Sequence, residues 1–341
     1  MRQLEGTYAL RQEPAGTGCG DRAPETLCPS RDPTAWVSVL LSTYNGAAYL
    51  RAQLDSLLAQ THAAWTLYWR DDGSTDGTVA ILKEFAAAVG PWRCVCISEP
   101  SCRLGPAASY MALLRAAEPA LDADGTIAFI DQDDVWLPEK LSRGLAALAE
   151  ADGTQPAMYC ARLLVVDANL QQLARTRITQ AGCNFPASLA QNIATGCTVM
   201  LNRGAARLVA ASAVPSGSMH DWWCYVLVTA AEGKVLVDES VVALYRQHGD
   251  NYVGMRVSDA HRAIAAIRRG PFAFMAVLRQ HVAALTAQPE LISETARGVA
   301  WQLHRALQGS FRERLAALRV RGLRRQTWLE TALFRIWFLI G

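Results

Sequence analysis

The sequence predicts an α/β fold: a mainly parallel sheet flanked by helices, with a helical extension at the C-terminal end. Two observations carry that expectation. Between Trp36 and Ile130, short apolar runs of strand length alternate with segments whose apolar residues recur at helical spacing. Beyond about Ser258 the strand pattern stops and arginine-rich helical segments follow.

The first run, WVSVLL (36–41), is continuously apolar, as a strand buried on both faces requires, and ends at the turn-forming STYNG (42–46). Leu50, Leu54, Leu57 and Leu58 then put one apolar stripe on a helix running to about Gln60. WTLYWR (65–70) reads as the second strand and stops at Asp71-Asp72-Gly73-Ser74. The alternation continues with TVAILKEFAAAV (78–89, helix), RCVCISE (93–99, strand), PAASYMALLRAA (106–117, helix) and TIAFI (126–130, a short buried strand). In parallel sheets of this kind ligands collect outside the carboxyl ends of the strands. Those ends carry STYN, DDGS and DQDD.

After Pro138 a helix LSRGLAALAE leads to strand-like YCARLLVVD, then ATGCTVMLNR, a helix at HDWWCYVLVTA, and a strand pair within KVLVDESVVALYR. Residues 1–34, rich in Gly, Pro, Arg and Glu without an apolar run, read as a flexible extension with no signal peptide or anchor. The expected division is therefore 1–34, a catalytic domain at 35–257, and a helical tail at 258–341.

Hydrophobic residues make up 51% and charged residues 19% of the 341, which excludes global disorder. The net charge of +2 carries no global polyanion signature, and no nucleic-acid partner is expected. Nine cysteines without metal-knuckle spacing suit a reducing cytosol. Cys94 and Cys96, inside a strand-like run, read as small packing residues rather than zinc ligands.

Four polar clusters are able to carry chemistry. Asp131-Gln132-Asp133-Asp134 directly follows a buried strand; its hard oxygens suit Mg²⁺ or Mn²⁺, or it is an ordinary acidic turn before a helix. Asp72 can accept the imide N–H of a pyrimidine, while Thr75 or Asp76 caps the next helix. Asp221, beside Trp222 and Trp223, is either a base that takes a hydroxyl proton next to sugar-binding aromatic faces or a helix cap. Arg246 can hold a phosphate or an acceptor, and His248 is a metal ligand or a surface-loop histidine.

Together VSVLLSTYNGAAYLRAQLDSLLAQT, RDDGSTDGT, FIDQDDVWLPEKL, HDWW and YRQHGDN resemble the family 2 glycosyltransferases of the GT-A fold, over residues 36 to 254. Within that family DQDDVW, HDWW and YRQHGDN are similar to bacterial rhamnosyltransferases of surface polysaccharide synthesis. The resemblance implies that Ser42, Tyr44, Asn45 and Asp72 line the nucleoside pocket, with Asp131 on the ribose or phosphate side. It implies Asp133 as the metal ligand and Asp221 as catalytic base; by residue type, His248 is a second-rank metal ligand and Trp222, Trp223 and Arg246 are acceptor-side candidates. The family usually carries an Asn-x-Gly element where this chain has Arg103-Leu104-Gly105, so Arg103 is a donor-side candidate without a family precedent. The implied reaction is a single inverting displacement from dTDP-rhamnose, or alternatively a UDP-hexose. A nucleotidyltransferase or a sugar-nucleotide-binding scaffold are readings of other classes.

Arginines between Arg305 and Arg325, followed by LFRIWFLI, suggest a helix lying in the membrane plane with Trp328, Phe334, Trp337 and Phe338 entering the interface. The stretch is too short to cross a bilayer. The other reading packs this helix on its own domain or on a second copy. A cytoplasmic enzyme at the inner face of the plasma membrane, acting on a saccharide or lipid-linked saccharide, is the resulting expectation.

Overall fold

The structure is a computed structural model, and it describes residues 35–97, 103–151, 155–176, 178, 183–249 and 259–341. The expectation for residues 1–34 lies outside these. Nine strands form one mixed sheet: β1 (Val37–Thr43), β2 (Trp65–Asp71), β3 (Cys94–Cys96), β4 (Thr126–Ile130), β5 (Val135–Trp136), β6 (Ala157–Val166), β7 (Gln172–Arg175), β8 (Met200–Asn202) and β9 (Lys234–Arg246). The order is β3-β2-β1-β4-β8-β6-β9-β5, with β7 beside β6.

The first four strands are mutually parallel because each connection is a helix long enough to cross over: α1 (Ala47–Leu58), α2 (Thr78–Val89) and α3 (Pro106–Ala117). Leu41 pairs with both Trp69 and Ile130, so the polar segments after these three strands emerge side by side. The chain order reverses between β1 and β4, the crevice position where such sheets receive ligands. In the second half β8 runs antiparallel between β4 and β6, and β6 pairs in parallel with β9. The α/β expectation holds, with antiparallel strands that periodicity alone does not reveal.

Strand alternation divides the core into two faces. Val37, Val39, Leu41, Ala128 and Ile130 pack with α1, α2 and α4 (Lys140–Leu148). Leu40, Ile127 and Phe129 pack on the other side with α3, α6 (Arg203–Ala210) and α7 (His220–Ala230). A single turn, α5 (Ala187–Ala190), precedes β8.

KVLVDESVVALYR is one strand rather than the expected pair. Midway along it the Asp238 carboxylate binds Arg143 and accepts the Tyr159 hydroxyl, and the β6–β9 register slips there instead of reversing.

The helices after residue 258 are α8 (Asp259–Ala287), α9 (Glu294–Gln308), α10 (Phe311–Ala317) and α11 (Trp328–Ile340). α8 breaks at Gly270, whose φ of 75° precedes Pro271. Met275, Leu278, Val282, Ala300, Leu303, Phe334 and Phe338 join the same buried cluster as α7. This corrects the membrane expectation for three residues: Phe334, Trp337 and Phe338 are buried, the first two against Phe274, and only Trp328 of the four aromatic residues faces outward. No helix among the described residues is long and apolar enough to cross a membrane.

Candidate active site

Two loops at the carboxyl edge are stitched together by side chains. Asn45, at φ 48°, accepts from the Thr75 N–H at 2.8 Å while its own N–H donates to Ser74. Gly46 and Ala47 donate to Thr78 and Asp76. Gln132 exchanges two hydrogen bonds with the Tyr44 backbone, which fastens this loop to the acidic segment after β4. Gly46 is required by close approach, since a Cβ there would collide with the Gln132 amide. Asn45 therefore has a structural partner at the position where the family resemblance places a donor contact.

Asp72 is buried, and its carboxylate accepts from Arg70 and from the N–H groups of Leu104 and Gly105, each at 2.7 Å. Of its roughly four acceptor positions, about one is left for a base. Burial pushes its carboxyl up, but these hydrogen bonds and the Arg70 charge outweigh burial and hold it below the usual range. Gly105 adopts a φ of 78°, which a side chain would strain, and so turns its N–H onto Asp72. Arg70 also reaches Ser109, which receives the Ser42 hydroxyl at 2.7 Å. At the rim the Arg103 guanidinium lies 3.8 Å from the Tyr44 ring centre.

The acidic segment is neither a simple turn nor a helix cap, since β5 follows it and Glu139 caps α4. Arg246, buried at the end of β9, donates to the Asp133 and Ala168 carbonyls, and its N–H donates to Asp134. Its guanidinium, expected to face the acceptor, holds the acidic loop. His248 meets Asp133 at 2.9 Å and stacks on Tyr49, ring centres 4.6 Å apart.

Asp131 accepts the Tyr110 hydroxyl at 2.8 Å. Burial and then the Asp133 charge push its carboxyl up to about 7, against that hydrogen bond. Clustered carboxylates of this kind are relieved by a divalent cation.

Two donor sets could hold one. Asp131, Asp134 and Cys197 offer ligand atoms within 4.8 Å of one another. Burial pushes the Cys197 thiol far up, and it donates to Asp134. Asp133 and His248 stand nearer the surface, with side chains 16% and 11% exposed. The Asp133 carboxylate is a hard oxygen donor of the kind Mg²⁺ and Mn²⁺ take, whereas sulfur is a soft one.

Asp221 lies in the first turn of α7, whose cap is Met219, so the helix-cap reading fails. Its carboxylate accepts from the Trp222 N–H at 2.6 Å and from Asn192 and the Gly196 N–H. Burial nonetheless pushes it up to about 6. His220 packs against Tyr110 and Phe129 in a cluster of three rings, their centres 4.1 and 4.9 Å from its own, and burial lowers it to about 3, so it is neutral. Gly196 leaves room for that ring, since a Cβ would stand 2.8 Å from His220 Nε2.

Of the two tryptophans, Trp223 is fully buried and donates to Ser212, which corrects its assignment to the acceptor. Trp222 is half-buried and donates to the Ser188 carbonyl. The sequence reading missed Gln132, Tyr49, Tyr110, Asn192, Gly196 and His220. Tyr49, Gln132 and His220 carried a signal, being inside motifs already noted.

The sequence signature of "Glycosyl transferase family 2" matches residues 38–208, half of the 341-residue chain. The chain is 25% identical to dTDP-rhamnosyl transferase RfbG of Shigella flexneri over 229 residues, covering 64% of this chain and 75% of that one. It is 30% identical to UDP-Glc:alpha-D-GlcNAc-diphosphoundecaprenol beta-1,3-glucosyltransferase WfgD of Escherichia coli over 112 residues, or 33% of this chain and 40% of the relative's length. In fold it resembles residues 1–349 of S. aureus TarS, solved in complex with UDP-GlcNAc, with a TM-score of 0.51 at 15% identity over 83% and 84% of the two chains. The strand order, the acidic segment at the switch point and the family match lead to one conclusion: this chain belongs to glycosyl transferase family 2 and is a nucleotide-sugar-dependent glycosyltransferase of the GT-A type.

Proposed function

We propose that the enzyme transfers rhamnose from dTDP-rhamnose, with inversion, to a saccharide or lipid-linked saccharide in cell-surface polysaccharide synthesis, using Mg²⁺ or Mn²⁺. The observation that carries this reading is that Tyr110, whose hydroxyl donates to Asp131, packs its ring on His220, the residue before Asp221, which sets a carboxylate able to take a proton near the donor-side acidic cluster. Asp221, pushed up to about 6, is ionised at neutral pH yet basic enough to take a hydroxyl proton. As the acceptor oxygen bonds to the anomeric carbon, that proton passes to Asp221. The bond to the nucleoside diphosphate breaks on the opposite face with its electron pair, so the configuration inverts.

Asp133 and His248 would hold the cation, which when bound neutralises charge on the departing diphosphate. Tyr44 and Arg103 offer a stacked wall for the base, and Ser42 and Asp72 its polar edge. Half-buried Trp222 flanks the acceptor side. The dTDP-sugar is supported by the relative RfbG and a UDP-hexose by WfgD, so the donor is decided by assay. The arginine-rich tail with exposed Trp328, Leu329, Ile336 and Ile340 supports attachment to the inner face of the plasma membrane.

The test is turnover of dTDP-rhamnose and UDP-glucose with Mn²⁺ and a lipid-linked saccharide, reading nucleotide release and the anomeric configuration of the product by NMR. Faster release from dTDP-rhamnose with inversion supports the proposal. A retained configuration, or release from UDP-glucose alone, removes it.

A further inference from the structure

Away from the acidic cluster, a cavity of about 730 Å³ opens between Gln191 and Ile193, the Tyr225 ring of α7, and the segment from Arg324 into α11. That volume is in the range of small-molecule sites, ~300–1,000 Å³. Its walls are tied together where Gln191 accepts from the Gln326 N–H at 2.9 Å. The cavity lies close to the base on two counts. Tyr225 follows Asp221 by four residues on α7, a rise of about 6 Å. Asn192, between lining residues Gln191 and Ile193, is the residue whose side chain bonds Asp221.

The lining has two chemistries. Arg324 and Arg335 are exposed cations, and guanidinium groups bind phosphate oxygens in pairs. Trp328, Ala332 and Ile336 recur every four residues on the outer face of α11 and line the same cavity, while Phe334, Trp337 and Phe338 face the core. Ile340 continues that outer stripe, 61% exposed, beyond the cavity. Cationic groups and an outward-leading apolar track in one cavity, part of whose wall adjoins Asp221 through Asn192 and α7, match a ligand with a charged head, a sugar on one side and a hydrocarbon chain on the other.

We propose that this cavity docks the diphosphate and first isoprene units of a polyisoprenyl-diphosphate-linked saccharide, with its sugar directed toward Asp221. The assignment rests on the transferase reading above and specifies its acceptor. A diphosphate suits two arginines better than the single charge of a bilayer phosphodiester.

The test uses the full chain in detergent and geranylgeranyl diphosphate as probe, with geranylgeraniol, inorganic diphosphate and phosphatidylglycerol vesicles as comparisons, measured by calorimetry or co-sedimentation. The probe should bind at least about tenfold more tightly than geranylgeraniol or diphosphate, a difference of ~1.4 kcal/mol. The double variant Arg324→Glu/Arg335→Glu and the cavity-filling Ala332→Trp should each weaken it at least about tenfold, while thermal stabilisation by nucleotide with Mn²⁺ stays unchanged. Equal probe affinity in wild type and both variants overturns the proposal. So does binding of vesicles, lost on charge reversal, without binding of the probe. The nucleotide response reports the transferase reading separately, so either can fail without the other.

Discussion

The Asp133 carboxylate and the His248 imidazole meet at 2.9 Å across 115 residues of sequence. A pair brought together from the ends of β4 and β9 is a donor set the fold assembles only when complete. Replacing Asp133 with Ala should therefore abolish the Mn²⁺-dependent rise in melting temperature caused by dTDP or UDP. His248→Ala should raise the Mn²⁺ concentration needed for half-maximal stabilisation by about tenfold or more. An unchanged Mn²⁺ response in both variants would move the metal to Asp131 and Asp134.

Asp221 must be ionised to accept a proton, and burial pushes it up to about 6. kcat/KM should fall below that pH by about tenfold per pH unit and level off above it. Asp221→Asn should lower turnover by about 10²–10⁴-fold while nucleotide binding persists. Turnover near the wild-type rate in this variant would exclude Asp221 as the base.

The same carboxylate should cost stability. Its folded value of about 6 lies above the ordinary 3.8, so its favourable contribution is present at low pH and lost as pH rises through 6. Asp221→Asn should accordingly be more stable than wild type at pH 8, by on the order of 2–3 kcal/mol, with the gap closing toward pH 4. Denaturant unfolding at the two pH values measures it, and a gap independent of pH would contradict the assignment.

Gly46→Ala should press on Gln132 and loosen the join between the β1 loop and the acidic segment, costing about 1–3 kcal/mol. Because the obstacle is a side chain, adding Gln132→Ala should recover part of that loss. A double-mutant cycle on thermal stability gives the coupling, and strict additivity would show that the two loops act independently.

How much of this was legible in the sequence depends on whether a property is local. TIAFI and HDWWCYVLVTA matched β4 and α7 because apolar runs and helical spacing are written within a few residues. The convergence of STYN, DDGS and DQDD followed from parallel strands all ending on one edge. What escaped was long-range. Trp222 and Trp223 are adjacent on a helix and point about 100° apart, so only packing decides that Trp223 enters the core. Arg246 reads as a ligand-binding cation until its partners, the carbonyls of Asp133 and Ala168, are in place. The antiparallel β8 is three residues long, too short for alternation to declare its direction.

The packing of His220 against Tyr110 and Phe129, which also touch each other, ties the Asp131 and Asp221 segments together mechanically. Tyr110 holds Asp131 with its hydroxyl and His220 with its ring face, and Asp221 is the next residue along the chain. Asp131 and Asp221 therefore share one aromatic rivet. A substitution at any one of these three rings would displace both carboxylates at once, although neither belongs to the cluster.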